Sequence, residues 1–436
     1  MEAIIISLAI LIFLAHLFST LFVKTGVPEV LPLLLLGILI GPVLHLVSPD
    51  DFGLVDQVFS QVLLIVILFE SGLGIRISQI RTTWAAASRL TIISFIITCA
   101  AVTLLAHIML GLNIAYALIL GIILADNSFA VIIPLISKLN ISSNLRTTLL
   151  VECTMGSVIT IVGAITMIGM AKTNSFSANM IIAKILYTFV TAVIIGGAAA
   201  VFWTTVLNKV RQLQNGIFLT LAFVFVVYSA CQMLGSDGAI GSFIFGIVAG
   251  NIRVIRKFHG LKFIEFFTSN VKSKAFNEVE KSFFGEVVFV MRTFFFVYIG
   301  LAIQINSLYD MLCGFLFSLV IFLARIPVAN YVLDKNFTRL DTAVASAMVP
   351  KGLVTAVLAS LIAQAGLPGG QTIQNTIYSV IMFTIILSTV FAFLLEKGHA
   401  RRAVNFLFKR HRDPQADAQA AAQIQSEVIN RKVILK

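Results

Sequence analysis

The chain has 436 residues, of which 59% are hydrophobic and 12% charged, and its mean hydropathy is +1.01. A soluble domain carries about 25% charged residues, so a fraction half that size, with the apolar residues gathered in long runs, excludes an ordinary water-soluble globule and points to lipid as the solvent. On a soluble protein the net charge of +11 would raise nucleic acid; here it fits loops rich in Lys and Arg on the cytoplasmic side, and no nucleic-acid partner is expected.

Thirteen apolar segments follow in chain order, at approximately 2–22, 28–48, 54–74, 90–110, 114–137, 147–170, 179–206, 215–234, 238–252, 284–304, 309–333, 342–365 and 373–395. The reading is an all-α membrane protein of about 13 transmembrane helices. Met1-Glu2 lacks a basic n-region and the apolar run leads directly into the first segment, so no cleaved signal peptide is expected. Segment 238–252 is the weakest, being short and carrying Gly241, Gly246 and Gly250. Four parts result: 1–252 as the first membrane part, 253–283 as a basic cytoplasmic loop, 284–396 as the remaining spans, and 397–436 as a basic cytoplasmic tail that turns Ala/Gln-rich from Gln415. Cys99, Cys153, Cys231 and Cys313 all lie inside apolar runs without paired spacing, and read as small buried hydrophobes.

Loop charge sets the orientation. The loops after the odd-numbered segments hold Lys24; Arg76, Arg81 and Arg89; Lys138 and Arg146; Lys209 and Arg211; the cluster from Arg253 to Lys281; and Lys335 and Arg339. The tail adds Lys397, Arg401, Arg402, Lys409, Arg410 and Arg412, whereas the even-numbered loops are nearly bare, Lys172 and Lys184 being the main exceptions. That alternation predicts an odd number of spans in the plasma or inner membrane, with the N-terminus outside and the C-terminus in the cytoplasm.

Charges inside spans are costly and therefore functional candidates. Six stand out: Glu70, Asp126, Glu152, Arg292, Arg325 and Lys351. Asp126 is followed by Asn127-Ser128, with Pro134 further on, and Pro350 and Gly352 flank Lys351. Proline removes a backbone donor, and unwound backbone at membrane depth survives only inside protein or beside a wet cavity. Segments 5 and 12 are thus an interrupted pair, each the penultimate member of a six-segment set, and the offset of seven gives the sets opposite orientation. Inverted repeats with crossed broken helices 5 and 12 point to a transport site near the bilayer midplane. Asp126 and Lys351 suit the positive and negative half-helix ends left by the breaks; that is either their whole, structural role, or Asp126 also trades a proton for a cation. Glu152 and Arg325 read as a structural buried ion pair, and Glu70 as a helix-end contact or a residue lining an entrance. The six histidines show no ligand spacing, so no metal beyond a transported cation is expected.

At these residues the chain resembles the cation/proton antiporter superfamily, the sodium/proton exchangers and their Kef-type relatives. The similarity is carried by Gly37-Ile-Leu-Ile-Gly-Pro, Leu68-Phe-Glu-Ser-Gly-Leu, Gly235-Ser-Asp-Gly-Ala-Ile-Gly, Phe294-Phe-Phe-Val-Tyr-Ile-Gly-Leu, Ala324-Arg-Ile-Pro-Val and Pro350-Lys-Gly-Leu-Val, in order across nearly the whole membrane region. The resemblance implies a core domain with crossed helices, a dimerisation domain, elevator-type movement and a homodimer. Two departures stand out. Where the family's fifth-helix break usually reads Ala-Thr-Asp-Pro, this chain has Ala125-Asp126-Asn127-Ser128; where its sixth helix carries Asn-Asp after the Glu, this chain has Gly156-Ser157. The usual ion-binding carboxylate therefore maps to Ser157. If exchange survives, Asp126 becomes the titrating acid, Asn127 and Ser157 with freed carbonyls supply neutral oxygen ligands for a monovalent cation (Na⁺, Li⁺ or K⁺), and a single acid favours one-for-one exchange with H⁺.

Two other readings compete: a carrier on the same scaffold for a small anion or organic acid, built around Lys351, and a non-transporting sensor with a regulatory domain or partner beyond the basic tail. No nucleophile elbow, phosphate-binding glycine loop or metal cluster is present in the sequence, so neither an enzyme nor a cofactor is expected.

Overall fold

A computed structural model describes residues 12–18, 20, 28–48, 54–75, 77–137, 139–173, 178–210, 216–236, 238–255, 276–303 and 307–412. The described elements are helices, with no strand among them: α1 (Val30–Ile38), α2 (Leu54–Gly74), α3 (Ile77–Leu110), α4 (Ile114–Leu124), α5 (Phe129–Ser137), α6 (Ser143–Thr173), α7 (Ala178–Val210), α8 (Gly216–Met233), α9 (Gly238–Ile255), α10 (Glu278–Ala302), α11 (Leu308–Val332), α12 (Arg339–Ala347), α13 (Leu353–Gln364), α14 (Gly370–Glu396) and α15 (Arg401–Leu407). Six of them are long and apolar enough to cross a membrane, and six shorter apolar helices accompany them.

Each apolar segment from the second to the thirteenth contains a helix, and segments 5 and 12 are each split in two, as α4/α5 and α12/α13. The protein is an all-α membrane protein whose broken helices cross. Boundaries shift where polar residues continue a helix: α3 begins at Ile77, not near 90, and carries Arg89 on its surface. Loop 253–283 lies mostly outside the described residues, as does the tail beyond Arg412. The tail up to Arg412 folds back onto the protein: Arg339 N–H donates to the Arg412 carbonyl at 3.0 Å, and His411 Nε2 lies 3.0 Å from the Asn330 carbonyl.

The helices pack as two groups. In one, α3, α4, α6, α11, α12, α13 and α14 surround the breaks; in the other, α1, α2, α7, α8, α9 and α10 pack together. The second group depends on glycine. A Cβ on Gly37 would run into the Val297 carbonyl of α10, and one on Gly246 would meet the Phe69 carbonyl of α2. Lipid gives apolar helices little reason to associate, so close backbone approach through small residues is what holds them together. This explains why segment 238–252, weak by hydropathy, is a well-packed helix. Pro42, without an N–H, coincides with a π-turn over Leu39–Val43 that ends α1.

Candidate ion-binding site at the crossing of two broken helices

The first break runs over Ala125–Ser128, after α4, which is capped at its start by the Asn113 side chain accepting from Ala115 N–H at 3.1 Å. The second runs over Met348–Gly352, after α12, whose start is a reciprocal capping box between Thr338 and Asp341. Breaking a helix in a membrane leaves backbone groups that water cannot satisfy, and here each break satisfies the other. Ser128 N–H donates to the Pro350 carbonyl at 2.8 Å. Lys351 Nζ donates to the Asp126 carbonyl at 2.6 Å and to Asn127 Oδ1 at 3.0 Å. The Lys351 amide is taken up by Thr384 Oγ1 on α14 at 3.1 Å. Gly352 lets the two crossings touch, because a Cβ there would collide with the Ser128 side chain.

The Asp126 carboxyl meets α6 and forms no salt bridge with Lys351. Its Oδ1 accepts from Ser157 Oγ at 2.8 Å. Gly156 adds no side chain there; a Cβ on it would sit 3.6 Å from the same oxygen. Asp126 is 2% exposed and Lys351 1%. The ammonium bonds to neutral oxygens, the carbonyl and the amide, at the negative end left by α4.

Next to this crossing, Arg325 of α11 gathers three elements. Its Nη2 donates to Glu152 Oε2 at 2.7 Å and its Nη1 lies 2.6 Å from Oε1. Nη1 also donates to Ser94 Oγ of α3, and Nε donates to the Ala345 carbonyl of α12 at 3.1 Å. All four donors and acceptors are buried.

A cavity of about 580 Å³ reaches the crossing. Asp126, Ser128, Thr154, Ser157 and Gly352 line it at the breaks; Glu29, Glu70, Ser71 and Arg292 line it where α1 begins and α2 ends. Lys351 and Asn127 are not part of the lining. At the breaks the arrangement presents one carboxylate, Asp126, and hydroxyl oxygens to the cavity, while the Lys351 ammonium is not part of the lining. Such an oxygen set suits a hard monovalent cation and a proton as alternatives.

The sodium/hydrogen exchanger transmembrane family matches residues 9–397. The chain belongs to that family. It is 23% identical over 392 residues to the K(+)/H(+) antiporter NhaP2 of Shewanella baltica, covering 87% of this chain but only 63% of that protein. It is also 23% identical over 388 residues to the Na(+)/H(+)-K(+) antiporter GerN of Bacillus cereus, covering 88% and 92%. The sodium proton antiporter MjNhaP1 of Methanocaldococcus jannaschii superposes with a TM-score of 0.71 at 21% identity, over 93% of this chain and 100% of that one; at that identity the likeness speaks for the fold.

Within this family fold, Asp126, Asn127, Ser157 and Lys351 come together at one crossing, Glu152 and Arg325 touch beside it, and Glu70 lies at the far end of the same cavity. Three participants escape the sequence. Ser94 and Thr384 are ordinary hydroxyls in apolar helices, with nothing to set them apart from their neighbours. Glu29 carries a signal, an acid beside Pro28 inside the second apolar segment, and it pairs with Arg292.

Proposed function

We propose that the chain is a secondary-active transporter that exchanges a monovalent cation for protons by alternating access. The observation that carries this reading is the Asp126 carboxyl: buried, held by Ser157, and lining a cavity at the crossing of two broken helices. A carboxyl so placed binds either a proton or a cation, and exchange needs no more than that either-or. Ser157 Oγ and backbone carbonyls complete the cation's oxygen shell. Asn127 positions Lys351, whose charge compensates the break, and the Glu152–Arg325 pair fixes α6 against α11. Glu70 lines the entrance. The named relatives include a K(+)/H(+) and a Na(+)/H(+)-K(+) antiporter, so K⁺ and Na⁺ are the first ions to test.

With the N-terminus outside and the C-terminus in the cytoplasm, as the loop charges imply, the cavity opens to the cytoplasm between the start of α1 and the end of α2. The functional unit is a homodimer in the cell membrane, with the tail available to a regulatory partner. A small-anion carrier would need Lys351 in the cavity, and its ammonium is instead bonded to Asp126 and Asn127 oxygens behind the lining.

The deciding experiment is transport in proteoliposomes under an imposed pH gradient, read with a pH-sensitive dye. Dequenching on addition of Na⁺, Li⁺ or K⁺ that vanishes in Asp126→Asn is the expected result. Folded protein that answers to anions and to no cation would overturn the reading.

A further inference from the structure

Glu29 and Arg292 both line the cavity and form an ion pair, with side chains 15% and 19% exposed. Glu29 occupies the position before α1 but makes no capping bond to it. Arg292 also lies over the Phe289 ring, 5.9 Å from its centroid, and His16 meets that ring edge-on at 4.8 Å. The guanidinium is therefore gripped by a carboxylate and by an aromatic face. The pair is not required to bring α1 and α10 together, since their backbones already touch at Gly37 and Gly300. Glu70, on the same cavity wall, lies close enough to feel the Arg292 charge but makes no direct ion pair with any described residue. A bare guanidinium here would oppose every cation that approaches Asp126, and low-dielectric walls would focus its field along the passage. A carboxylate in contact reduces that field to a dipole's.

We propose that the Glu29–Arg292 pair sets the charge preference of the cavity: Glu29 neutralises Arg292 and holds it to the wall, which leaves Glu70 as the acid facing an arriving cation. Its consequence for exchange rests on the cation-exchange reading; its consequence for the field in the cavity does not.

The test uses a single cysteine as reporter, Thr147→Cys on the cavity lining, with the four native cysteines replaced by alanine and Ser71→Cys as a second reporter. Rates of labelling by a cationic and an anionic methanethiosulfonate of similar size are compared in full-length protein in liposomes. Glu29→Gln is expected to lower the cationic-to-anionic ratio about tenfold, and adding Arg292→Gln to restore it to within roughly twofold of the starting value. Should Glu29→Gln not fold, Arg292→Gln alone must raise the ratio, a change of opposite sign. A ratio that stays fixed in Glu29→Gln, or a double variant no better than the single one, overturns the proposal and leaves the pair a structural tie. In the exchange assay, the apparent KM for the cation rises in Glu29→Gln at unchanged kcat and returns in the double variant. If the labelling ratio moves as expected while the unmodified protein exchanges no cation, the exchange reading alone falls.

Discussion

The Ser157 hydroxyl donates to Asp126 Oδ1 at 2.8 Å, joining the break in segment 5 to α6 at the position where the sequence resemblance leads one to expect an acid. Ser157→Ala removes one oxygen ligand and a hydrogen bond worth about 1.5–3 kcal/mol to a charged acceptor. We expect exchange to persist with an apparent KM for the cation raised about tenfold or more. Ser157→Asp places a second carboxylate against Asp126, and the two acids share protons as a pair. Exchange then becomes sensitive to membrane potential, measurable by clamping the potential with a K⁺ ionophore during Na⁺-driven proton movement. Potential-insensitive exchange in Ser157→Asp would contradict the single-acid stoichiometry of the unmodified protein.

The Glu152–Arg325 pair is a matter of stability first. Removing one partner of a buried pair leaves an uncompensated charge and costs about 3–5 kcal/mol. Arg325 also serves Ser94 and the Ala345 carbonyl, so its loss strands more groups than the loss of Glu152. Thermal unfolding of detergent-solubilised protein should therefore rank unmodified protein above Glu152→Gln and Glu152→Gln above Arg325→Gln. A reversed order would place the dominant role on the carboxylate.

The sequence reveals the fold more fully than the site. Hydropathy marks a helix in every segment from the second to the thirteenth, because lipid-facing stretches must be apolar, but it does not mark the short α15 in the basic tail. The breaks were legible too, since Asp126 and Lys351 are charges beside residues that disfavour helix. What hydropathy cannot supply is partnership across the chain. Glu29 and Arg292 are separated by 263 positions, and nothing local to either names the other. Hydropathy also places the start of α3 too late, because the stretch from Ile77 to Arg89 is helical as the continuation of a packed helix and not as an apolar run of its own. In α9 the same glycines that weaken the hydropathy signal are what allow the packing.

The contact between Gly352 and Ser128 makes a prediction about the crossing itself. A Cβ at 352 would meet both Oγ and Cβ of Ser128, and overpacking of this kind costs about 1–3 kcal/mol. Gly352→Ala should lower thermal stability and exchange together. Ser128→Gly removes both colliding atoms while keeping the amide that bonds to the Pro350 carbonyl. The double variant should recover most of the lost stability. Additive losses in the double variant would mean that Gly352 is required for its backbone and not for the space it leaves.

Proton and cation competing for one carboxyl at Asp126 fixes the pH dependence of the cation's apparent KM. A protonated carboxyl cannot hold the cation, so acidification must raise KM, and alkalinisation must lower it until the acid is fully ionised and KM becomes constant. Over the acidic limb the change is about tenfold per pH unit for one proton displaced per cation. The maximal rate at saturating cation should vary far less, because excess cation displaces the proton. Measuring KM for Na⁺ and K⁺ across a pH series in proteoliposomes checks both statements. A limb twice as steep would require a second acid in the exchange, with Glu70 the first to replace, since it lines the same cavity. A flat profile would mean that proton and cation do not share Asp126, and would move the coupling to another group.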